Sequence, residues 1–331
     1  MSTEASASTS ASASRIVVVG SLNADLTIYC DRLPQPGETV HGNGFAVNPG
    51  GKSANQAVAA SKLGGQVSLV GAIGDDPNGA MLLESTARAG VDVSRVRRAA
   101  DAATGVAIIS VDAAGENSII ISAGANGSLS PADVTAAADV FDDAAVVCLC
   151  LEVGLGTVAA AAQTGHDADA TVLLNLSPYA EVPQALAGLS DVLLVNAHEA
   201  SLFLGKEAMP GADVDAAEWE PVRKQFAGRG LQRVLVTLGA HGSVVLDSQA
   251  SGTQQITRIP PTKVAVVDST GAGDAFTGAV AARLAAGESL AEAAAFASVA
   301  AALAATKKGT QAAYPDTAEV QLLRGGHARR S

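Results

Sequence analysis

The stretch that decides the fold of this chain is Val264-Ala-Val-Val-Asp268-Ser-Thr-Gly271-Ala-Gly273-Asp274-Ala-Phe-Thr-Gly-Ala-Val280. A β-branched apolar run ends at Asp268, a glycine-rich turn follows, and an alanine-rich segment comes next, so the stretch predicts a strand, a turn and a helix. The turn then lies at a helix N-terminus, where free N–H groups and the helix dipole form an anion site. Asp274 is either a simple helix cap or a base held where a transferring phosphoryl group would be stabilised.

Continuous apolar runs recur along the chain, and polar residues follow each of them. Such runs are typical of parallel strands that are covered on both faces, and ligands gather beyond the carboxyl ends of such strands. We therefore expect the polar residues to meet in one cleft. The runs and their polar residues are 16–19 with Asn23 and Asp25, 146–151 with Glu152, 172–174 with Asn175, 192–195 with Asn196, 234–236 with Thr237, and 264–267 with Asp268.

Alanine-rich segments of helical length separate the apolar runs, at residues 54–63, 79–89, 155–163 and 218–227. The alternation predicts an α/β fold with a doubly wound, mainly parallel sheet and helices on both faces. Two segments interrupt it, at about residues 24–49 and 104–122, and the second reads as a hairpin with its turn at 112–115. Together they predict a small β-sheet lid, which would exclude water from the cleft.

Length and charge limit the classes of function. A chain of 331 residues can bury a large core, and we expect one domain from residue 15 to 331. The formal net charge of −12 argues against nucleic acid or an anionic membrane surface as a partner. The apolar stretch 291–305 is too short to span a bilayer and predicts a packed helix.

The N-terminus and the cysteines bear on where the protein works. Residues 1–14 are almost entirely Ser, Ala and Thr and predict a disordered tail, with a transit peptide as the less favoured alternative. The three cysteines, Cys30, Cys148 and Cys150, form no disulfide framework. We expect buried thiols and a reducing compartment, the cytoplasm.

The glycine pair before Lys52 allows two interpretations. It does not complete a phosphate-binding P-loop, because the glycine which that pattern requires at position 46 is Ala46. No dinucleotide fingerprint closes at the 271–276 turn either, since its last position is Phe276. What remains is a helix start with a solvated lysine, or a turn that binds the hydroxyl groups of a polyol through Lys52 and Asn55. The five histidines have no metal-ligand spacing.

Six motifs in this order resemble the ribokinase branch of the PfkB sugar kinase family, over residues 15–315. They are Gly20-Ser-Leu-Asn23-Ala-Asp25, Gly50-Gly51-Lys52-x-x-Asn55-Gln, Gly124-Ala-Asn126, Asn196-x-x-Glu199, Thr237-Leu-Gly239-x-x-Gly242 and Asp268-Ser-Thr-Gly271-Ala-Gly273-Asp274. The resemblance implies a ribokinase-like fold with a β-sheet lid, dimerisation through the lids, and transfer of the ATP γ-phosphate to O5 of D-ribose.

The resemblance also implies roles for particular residues. Asp274 would be the general base, and Gly271, Ala272, Gly273 and Asp274 would form the anion hole. The ribose ligands would be Asn23, Asp25, Gly50, Gly51, Lys52, Asn55, Glu152 and Asp274. Thr237, Gly239 and Gly242 would line the nucleotide site together with the 271–273 turn, and Asn196 and Glu199 would hold Mg²⁺ through water. An activating potassium ion would be surrounded by Asp268, Thr270, Ala304, Lys307, Gly309 and Ala313.

Departures from the family pattern leave alternatives open. Ser53 stands where glycine is usual, beside the sugar turn, and either points away or tightens the pocket. Lys307 and Ala313 replace a common arginine and serine in the potassium loop. A kinase for deoxyribose, another pentose, a ketohexose or a nucleoside is the alternative within the enzyme class. A non-catalytic sugar sensor is the alternative outside it, although such a protein needs neither a base nor a metal-orienting pair.

Overall fold

Strands and helices alternate along the part of the chain that the computed structural model describes, residues 15–328. The predicted tail at residues 1–14 lies outside the described residues. The strands are β1 (Arg15–Val19), β2 (Asn23–Cys30), β3 (Gly42–Gly50), β4 (Gln66–Gly74), β5 (Asp92–Ala99), β6 (Gly105–Val111), β7 (Asn117–Ser122), β8 (Ala144–Leu149), β9 (Thr171–Asn175), β10 (Val192–Asn196), β11 (Arg233–Thr237), β12 (Ser243–Asp247) and β13 (Ile256–Ile259). The helices are α1 (Lys52–Lys62), α2 (Pro77–Arg88), α3 (Pro131–Ala136), α4 (Leu155–Asp167), α5 (Gln184–Leu189), α6 (Ala197–Leu204), α7 (Glu220–Gly228), α8 (Ala272–Ala285), α9 (Leu290–Ala304) and α10 (Thr317–Ala328).

The larger sheet has the strand order β13-β12-β11-β10-β9-β8-β1-β4-β5. From β11 to β5 every neighbouring pair is parallel, whereas β12 and β13 run antiparallel at one edge. The predicted mainly parallel sheet is confirmed. Five of the six apolar runs are strands of it, namely β1, β8, β9, β10 and β11.

Helices cover both faces of this sheet, because its strands are apolar on both sides. Along β1, Ile16 and Val18 pack into the core beneath α1, α8 and α9, while Val17 and Val19 pack into the core beneath α4 and α7. All four side chains are almost fully buried. A strand that is buried on both faces has no polar side for water, which is why the run is continuous rather than alternating.

A second sheet has the order β3-β2-β6-β7. It arises from the two segments that interrupt the alternation, and β6 and β7 form the predicted antiparallel hairpin. Its strand β2 begins at Asn23, only a few residues after β1 ends, so a short loop connects the two sheets. Apolar side chains remain exposed on it, including Phe45 at 64% and Ile120 at 68% of their maximal accessible area.

The predicted strand at residues 264–267 is wrong. This segment pairs with no strand, and Val266 and Val267 are exposed. Its end is fixed instead by the backbone N–H groups of Val267 and Asp268, which both donate to the carbonyl of Ala305, at 2.8 and 3.1 Å. The β-branched composition predicts extended backbone, but here the backbone pairs with the end of α9 instead of with a strand.

Helices α1 and α8 pack closely, and Gly278 permits the approach. A Cβ atom at Gly278 would lie 2.5 Å from the carbonyl oxygen of Gln56 and 2.7 Å from Cβ of Ala59. The predicted packed helix at residues 291–305 is confirmed as α9, which lies against α8. Within residues 15–328, no helix combines the length and the apolar character that crossing a bilayer requires.

We expect Gly278→Ala to lower the free energy of unfolding by about 2 kcal/mol, because the added methyl group would overpack the α1–α8 contact. The matched control is Gly188→Ala in α5, where an added Cβ meets no atom within 4 Å. The control should be neutral or stabilise by up to about 1 kcal/mol, because alanine favours helix more than glycine does. Urea denaturation measures both. Equal midpoints for the two variants would contradict the tight contact.

Candidate active site

A cleft of about 150 Å³ lies at the carboxyl ends of the central parallel strands. Asn175 ends β9, Asn196 ends β10 and Thr237 ends β11, and all three line the cleft. The other polar residues expected to meet there do not line it, namely Asn23, Asp25, Glu152 and Asp268. The N-termini of α1 and α8 close it from the other side. The remaining lining residues are Lys52, Ser177, Leu194, Glu199, Gly271, Gly273, Asp274 and Thr277.

Asp274 lies in the first turn of α8 and is not the helix cap, which is Gly271. Only 8% of its accessible area remains exposed. Two neighbouring amides of α1 donate to its carboxylate: Asn55 Nδ2 to Oδ2 at 2.9 Å, and Gln56 Nε2 to Oδ1 at 3.0 Å. The carboxylate is thus fixed in orientation while one side of it lines the cleft, which suits a proton acceptor.

Burial raises the pKa of Asp274 above its usual range, and the charge of Glu152 adds to this effect. The Lys52 ammonium and the two amides act in the opposite direction. Burial alone would lower the pKa of Lys52, but the attraction of nearby anionic groups, Asp274 first, outweighs it, so the pKa of Lys52 is raised. Lys52 is therefore a fixed cation beside the carboxylate.

The turn before α8 offers fewer free donors than the predicted four-residue anion hole. The N–H of Ala272 donates to the carbonyl of Ser269 at 3.1 Å. Among residues 15–328, the N–H groups of Gly271, Gly273 and Asp274 have no backbone acceptor. Gly271 has φ of 74°, and its carbonyl accepts from the Tyr314 hydroxyl at 3.2 Å, which holds the turn in place. These free donors at a helix start can stabilise an anion.

Asn23 and Asp25 lie on β2. Asn23 is buried and Asp25 is half-buried. Gly50 on β3 is opposite Asn23 in register, and a Cβ there would lie 2.2 Å from a carboxylate oxygen of Asp25, so glycine makes room for this carboxylate. Burial raises the pKa of Asp25 to about 7, with Glu152 and Asp274 adding to the shift. The Asn23 Oδ1 accepts from Asn126 Nδ2 at 2.8 Å.

The start of α1 is held by groups from the loops that follow β1 and β8. Glu152 Oε2 accepts from the Lys52 N–H at 3.0 Å and from the Ser21 hydroxyl at 2.6 Å. The N–H of Ser53 donates to the Ser21 hydroxyl. The backbone N–H groups of Lys52 and Ser53 are thus already bonded within the protein. The Ser53 hydroxyl is fully buried and lies 3.1 Å from Cys150 Sγ, so this residue points away from the cleft.

Asn196 and Glu199 form a capping box at the start of α6. Asn196 Oδ1 accepts from the Glu199 N–H, and Glu199 Oε2 accepts from the Asn196 N–H, both at 2.8 Å. Within the described residues the other carboxylate oxygen of Glu199 has no hydrogen bond, and the residue lines the cleft. Next to the cleft lies a cavity of about 440 Å³ that Asn196, Thr237 and Gly239 also line. Of the predicted nucleotide residues, Asn196, Glu199, Thr237, Gly239, Gly271 and Gly273 line one or both of these spaces, whereas Gly242 and Ala272 line neither.

Asp268 connects the turn before α8 to the loop after α9. Its carboxylate accepts from the N–H of Thr270 at 2.9 Å and from that of Gly309 at 3.0 Å. Burial alone would raise the pKa of Asp268, but the hydrogen bonds from Gly309 and Thr270 outweigh this effect, so the pKa is lowered. The Lys307 ammonium pairs with Glu319 at 2.9 Å and so leaves only its carbonyl for any ion. The predicted potassium residues therefore lie on two segments that Asp268 joins.

Several residues of the site were not predicted from the sequence. Gln56 donates directly to the Asp274 carboxylate, and Gln311 supports it through Asn55. The Tyr314 hydroxyl donates to the carbonyl of Gly271. Asn126 was noted only as part of a motif, yet it bonds both backbone groups of Leu22. Gln56 and Asn126 carried a local signal, since both belong to motifs named above, whereas Gln311 and Tyr314 carried none. In the described residues, no cluster of three or more His, Cys, Asp and Glu could hold a metal ion.

Comparisons with known proteins identify the family and agree with the fold. The sequence profile described as pfkB family carbohydrate kinase matches residues 13–317. A ribokinase from Mus musculus is 36% identical over 313 residues, covering 94% of each chain. A deoxyribokinase from Salmonella typhi is 34% identical over 301 residues, covering 91% of this chain and 95% of its own length.

A solved structure gives the same result. A ribokinase from Arabidopsis thaliana, complexed with ribose and ATP, superposes with a TM-score of 0.86 at 32% identity. The match covers 94% of this chain and 98% of that one. The large sheet, its helices and the smaller sheet thus have a full-length counterpart of known structure.

Asp25 makes the stability of the protein depend on pH in an unusual direction. Its pKa is raised from 3.8 to about 7 on folding, so between these values the unfolded chain has lost a proton that the folded protein keeps. This contribution to stability is complete below pH 3.8 and is lost as the pH rises through 7. We expect Asp25→Asn to raise the free energy of unfolding by about 1–2 kcal/mol at pH 8, and by less at pH 5.

The matched control is Asp268→Asn, for which the opposite sign is expected. The pKa of Asp268 is lowered, so its ionised form stabilises the fold above its ordinary pKa and is lost on acidification. This variant should be less stable than the wild type at pH 8. Urea denaturation at the two pH values measures both. An Asp25→Asn protein that is less stable than the wild type at pH 8 would contradict the raised pKa.

Proposed function

This chain belongs to the pfkB family of carbohydrate kinases and is an enzyme of that family, and we propose that it transfers the γ-phosphoryl group of ATP to O5 of D-ribose. The observation that carries the proposal is the position of Asp274. Its buried carboxylate lines a cleft at a helix N-terminus, with both oxygens held by amides and with unpaired N–H groups nearby. A base and an oxyanion site within one helical turn are what phosphoryl transfer to an alcohol requires.

In this mechanism the protein positions the reactants and neutralises charge. Asp274 takes the proton of the attacking hydroxyl, a contribution of roughly 10²–10⁴ in rate. The free N–H groups of Gly271 and Gly273 donate to the oxygens of the transferring group, at roughly 10²–10³ for each donor. Lys52, whose raised pKa keeps it charged, adds a fixed positive charge.

The sugar would bind between β2, β3 and the start of α1. Asn23 and Asp25 offer hydrogen bonds to neighbouring hydroxyl groups, and a sugar that lacks one of these groups would leave a buried polar group unpaired. Glu152 contributes Oε1, because its other oxygen is bonded to Ser21 and Lys52. The proposed sugar ligands are Asn23, Asp25, Gly50, Gly51, Lys52, Asn55, Glu152 and Asp274.

The nucleotide would occupy the ends of β10 and β11, lined by Thr237, Gly239 and Gly242. Asn196 and Glu199 fit Mg²⁺ held through water rather than directly, because their capping bonds leave few oxygens free. With ATP, Mg²⁺ supplies neutralisation of the phosphate charge. The chain's own contribution is to hold the Glu199 carboxylate in a fixed orientation beside the cleft.

A potassium site fits the loop around Asp268 in part. A carboxylate and backbone carbonyls are suitable oxygen donors, and replacement of a common arginine by Lys307 does not alter a carbonyl. Both oxygens of Asp268 already accept N–H groups. When bound, the ion would supply positive charge close to the turn that begins α8. The proposed ligands are Asp268, Thr270, Ala304, Lys307, Gly309 and Ala313.

Ribose is favoured over 2-deoxyribose because Asn23 and Asp25 form a paired set of acceptors and donors for adjacent hydroxyls. The deoxyribokinase from Salmonella typhi, at 34% identity, makes deoxyribose the strongest alternative substrate. We assign the enzyme to the cytoplasm, since the three cysteines are unpaired and buried and a reducing compartment preserves them.

We propose a homodimer that forms through the smaller sheet. Exposed apolar side chains on β3, β6 and β7, such as Phe45 and Ile120, are costly in water and would be covered by a second copy. Sedimentation should then give twice the chain mass of 32.8 kDa. A single-chain mass at micromolar concentration would contradict the dimer.

We expect Asp274→Ala to lower kcat by at least about 10²-fold, because the base is lost, while ribose binding by calorimetry stays measurable. The control is Asp101→Ala, at an exposed position outside the cleft, which should keep wild-type kinetics. Near-normal turnover in Asp274→Ala would refute the assignment of the base. Ribose binding without turnover in the wild type would instead favour a sugar sensor.

A further inference from the structure

Gln56 is a buried polar residue that the proposed sugar and nucleotide sites leave without a role. It lies in α1 with no accessible area and is not among the residues that line the cleft. Its Nε2 donates to Asp274 Oδ1 at 3.0 Å, and its Oε1 accepts from Cys148 Sγ at 3.4 Å. The side chain thus bridges the thiol on β8 and the carboxylate on α8.

The orientation of the Gln56 amide follows from what each neighbour can do. An ionised carboxylate only accepts hydrogen bonds, so the amide NH₂ must face Asp274. The amide oxygen then points to the other side and needs a donor, because an unsatisfied buried acceptor is costly. The Cys148 thiol is the donor that the described residues place there. Burial raises the pKa of this thiol well above its usual range, so it keeps its proton.

The second amide on Asp274 has a different position. Asn55 is backed by Gln311, whose Nε2 donates to Asn55 Oδ1 at 3.0 Å. Asn55 belongs to the proposed sugar turn, so a substitution there would change sugar binding and the carboxylate together. Gln56 has contacts only on the protein side and can be changed without touching the sugar.

We propose that Gln56, oriented by the Cys148 thiol, is a positioning residue that holds the Asp274 carboxylate ionised and aimed at the acceptor hydroxyl. The consequence for catalysis rests on the proposed function, whereas the consequence for the ionisation of Asp274 does not. Donation of a hydrogen bond to the ionised form stabilises it. Loss of the donor therefore makes the carboxylate a weaker acid and leaves it freer to turn.

Other groups that act on Asp274 stay in place when Gln56 is changed. Lys52 at the start of α1 favours the ionised carboxylate, and Glu152 beyond β8 disfavours it. The groups that interact electrostatically with Asp274 are Lys52, Glu152, Asp25, Tyr314, Cys148 and Cys150. A shift in a Gln56 variant therefore reports the missing amide, provided that the fold is kept.

The test is carbon-13 NMR titration of the Asp274 carboxyl in the full-length protein, with the signal assigned by its loss in Asp274→Asn. We expect Gln56→Met, which keeps the side-chain length without the amide, to raise the titration midpoint by about 1 pH unit. Cys148→Ala should raise it by less, because the amide stays but loses its support. Cys148→Ser, which restores a donor, should titrate at the wild-type pH.

The same variants are assayed as kinases between pH 5 and 9. We expect the acidic limb of kcat/KM to move upward with the NMR midpoint in Gln56→Met, with kcat about 10-fold lower at pH 7 and a smaller change in the sugar KM, because Asp274 is also a proposed sugar ligand. An unchanged NMR midpoint in folded Gln56→Met would overturn the proposal. If that variant does not fold, an unchanged midpoint in Cys148→Ala overturns it.

The positioning role of Gln56 and the proposed kinase function can be refuted separately. A shifted NMR midpoint in a wild-type protein without kinase activity on any sugar would refute the proposed function and leave the positioning role intact. An active kinase in which the midpoint and the pH profile are both unmoved by Gln56→Met would refute the positioning role alone.

Discussion

The contact between α1 and α8 is the constraint on which the site depends. Gly278 lets the two helices approach so closely that a methyl group would meet the carbonyl of Gln56. At that distance two consecutive amides of α1, from Asn55 and Gln56, reach both oxygens of Asp274 at the start of α8. A carboxylate that is buried without donors would take up a proton. The packing of the two helices therefore keeps the buried Asp274 carboxylate ionised and able to accept a proton.

Like charges accumulate around this contact. Burial raises the pKa of Asp25 to about 7, and the charges of Glu152 and Asp274 add to this shift. Lys52 lines the cleft together with Asp274. Such an arrangement costs stability in the free protein. It is useful where a polyol and a phosphate later supply the missing hydrogen-bond partners and charge.

The sequence predicts the strands of the cleft well, because a strand that is buried on both faces leaves an unbroken apolar run. That signal fails at residues 264–267, where the same composition gives an exposed segment whose N–H groups bond to Ala305. The apolar runs named above also omit β4, β5, β12 and β13, although residues 244–246 of β12 form a short buried apolar run. Composition predicts extended backbone but does not say whether a partner strand is available.

The chemistry of the site is only partly readable from the sequence. The position of Asp274 next to a glycine turn marks it as a functional candidate, and the structure places it in the cleft. Its support by Gln56 and, through Asn55, by Gln311 depends on contacts across more than 200 residues of chain. The hydrogen bond from the Ala272 N–H to the Ser269 carbonyl cannot be predicted from the sequence either, because it depends on the backbone path of the turn.

The most direct measurement is the rate of ADP release from Mg-ATP by the wild-type protein with D-ribose, 2-deoxyribose, fructose and adenosine, each with potassium or with sodium in its place. The account predicts rapid turnover on D-ribose that potassium enhances. Turnover only on another of the four would contradict the reading of Asn23 and Asp25 while retaining the role of Asp274. No turnover on any of them, with ribose still bound, would contradict the kinase mechanism itself.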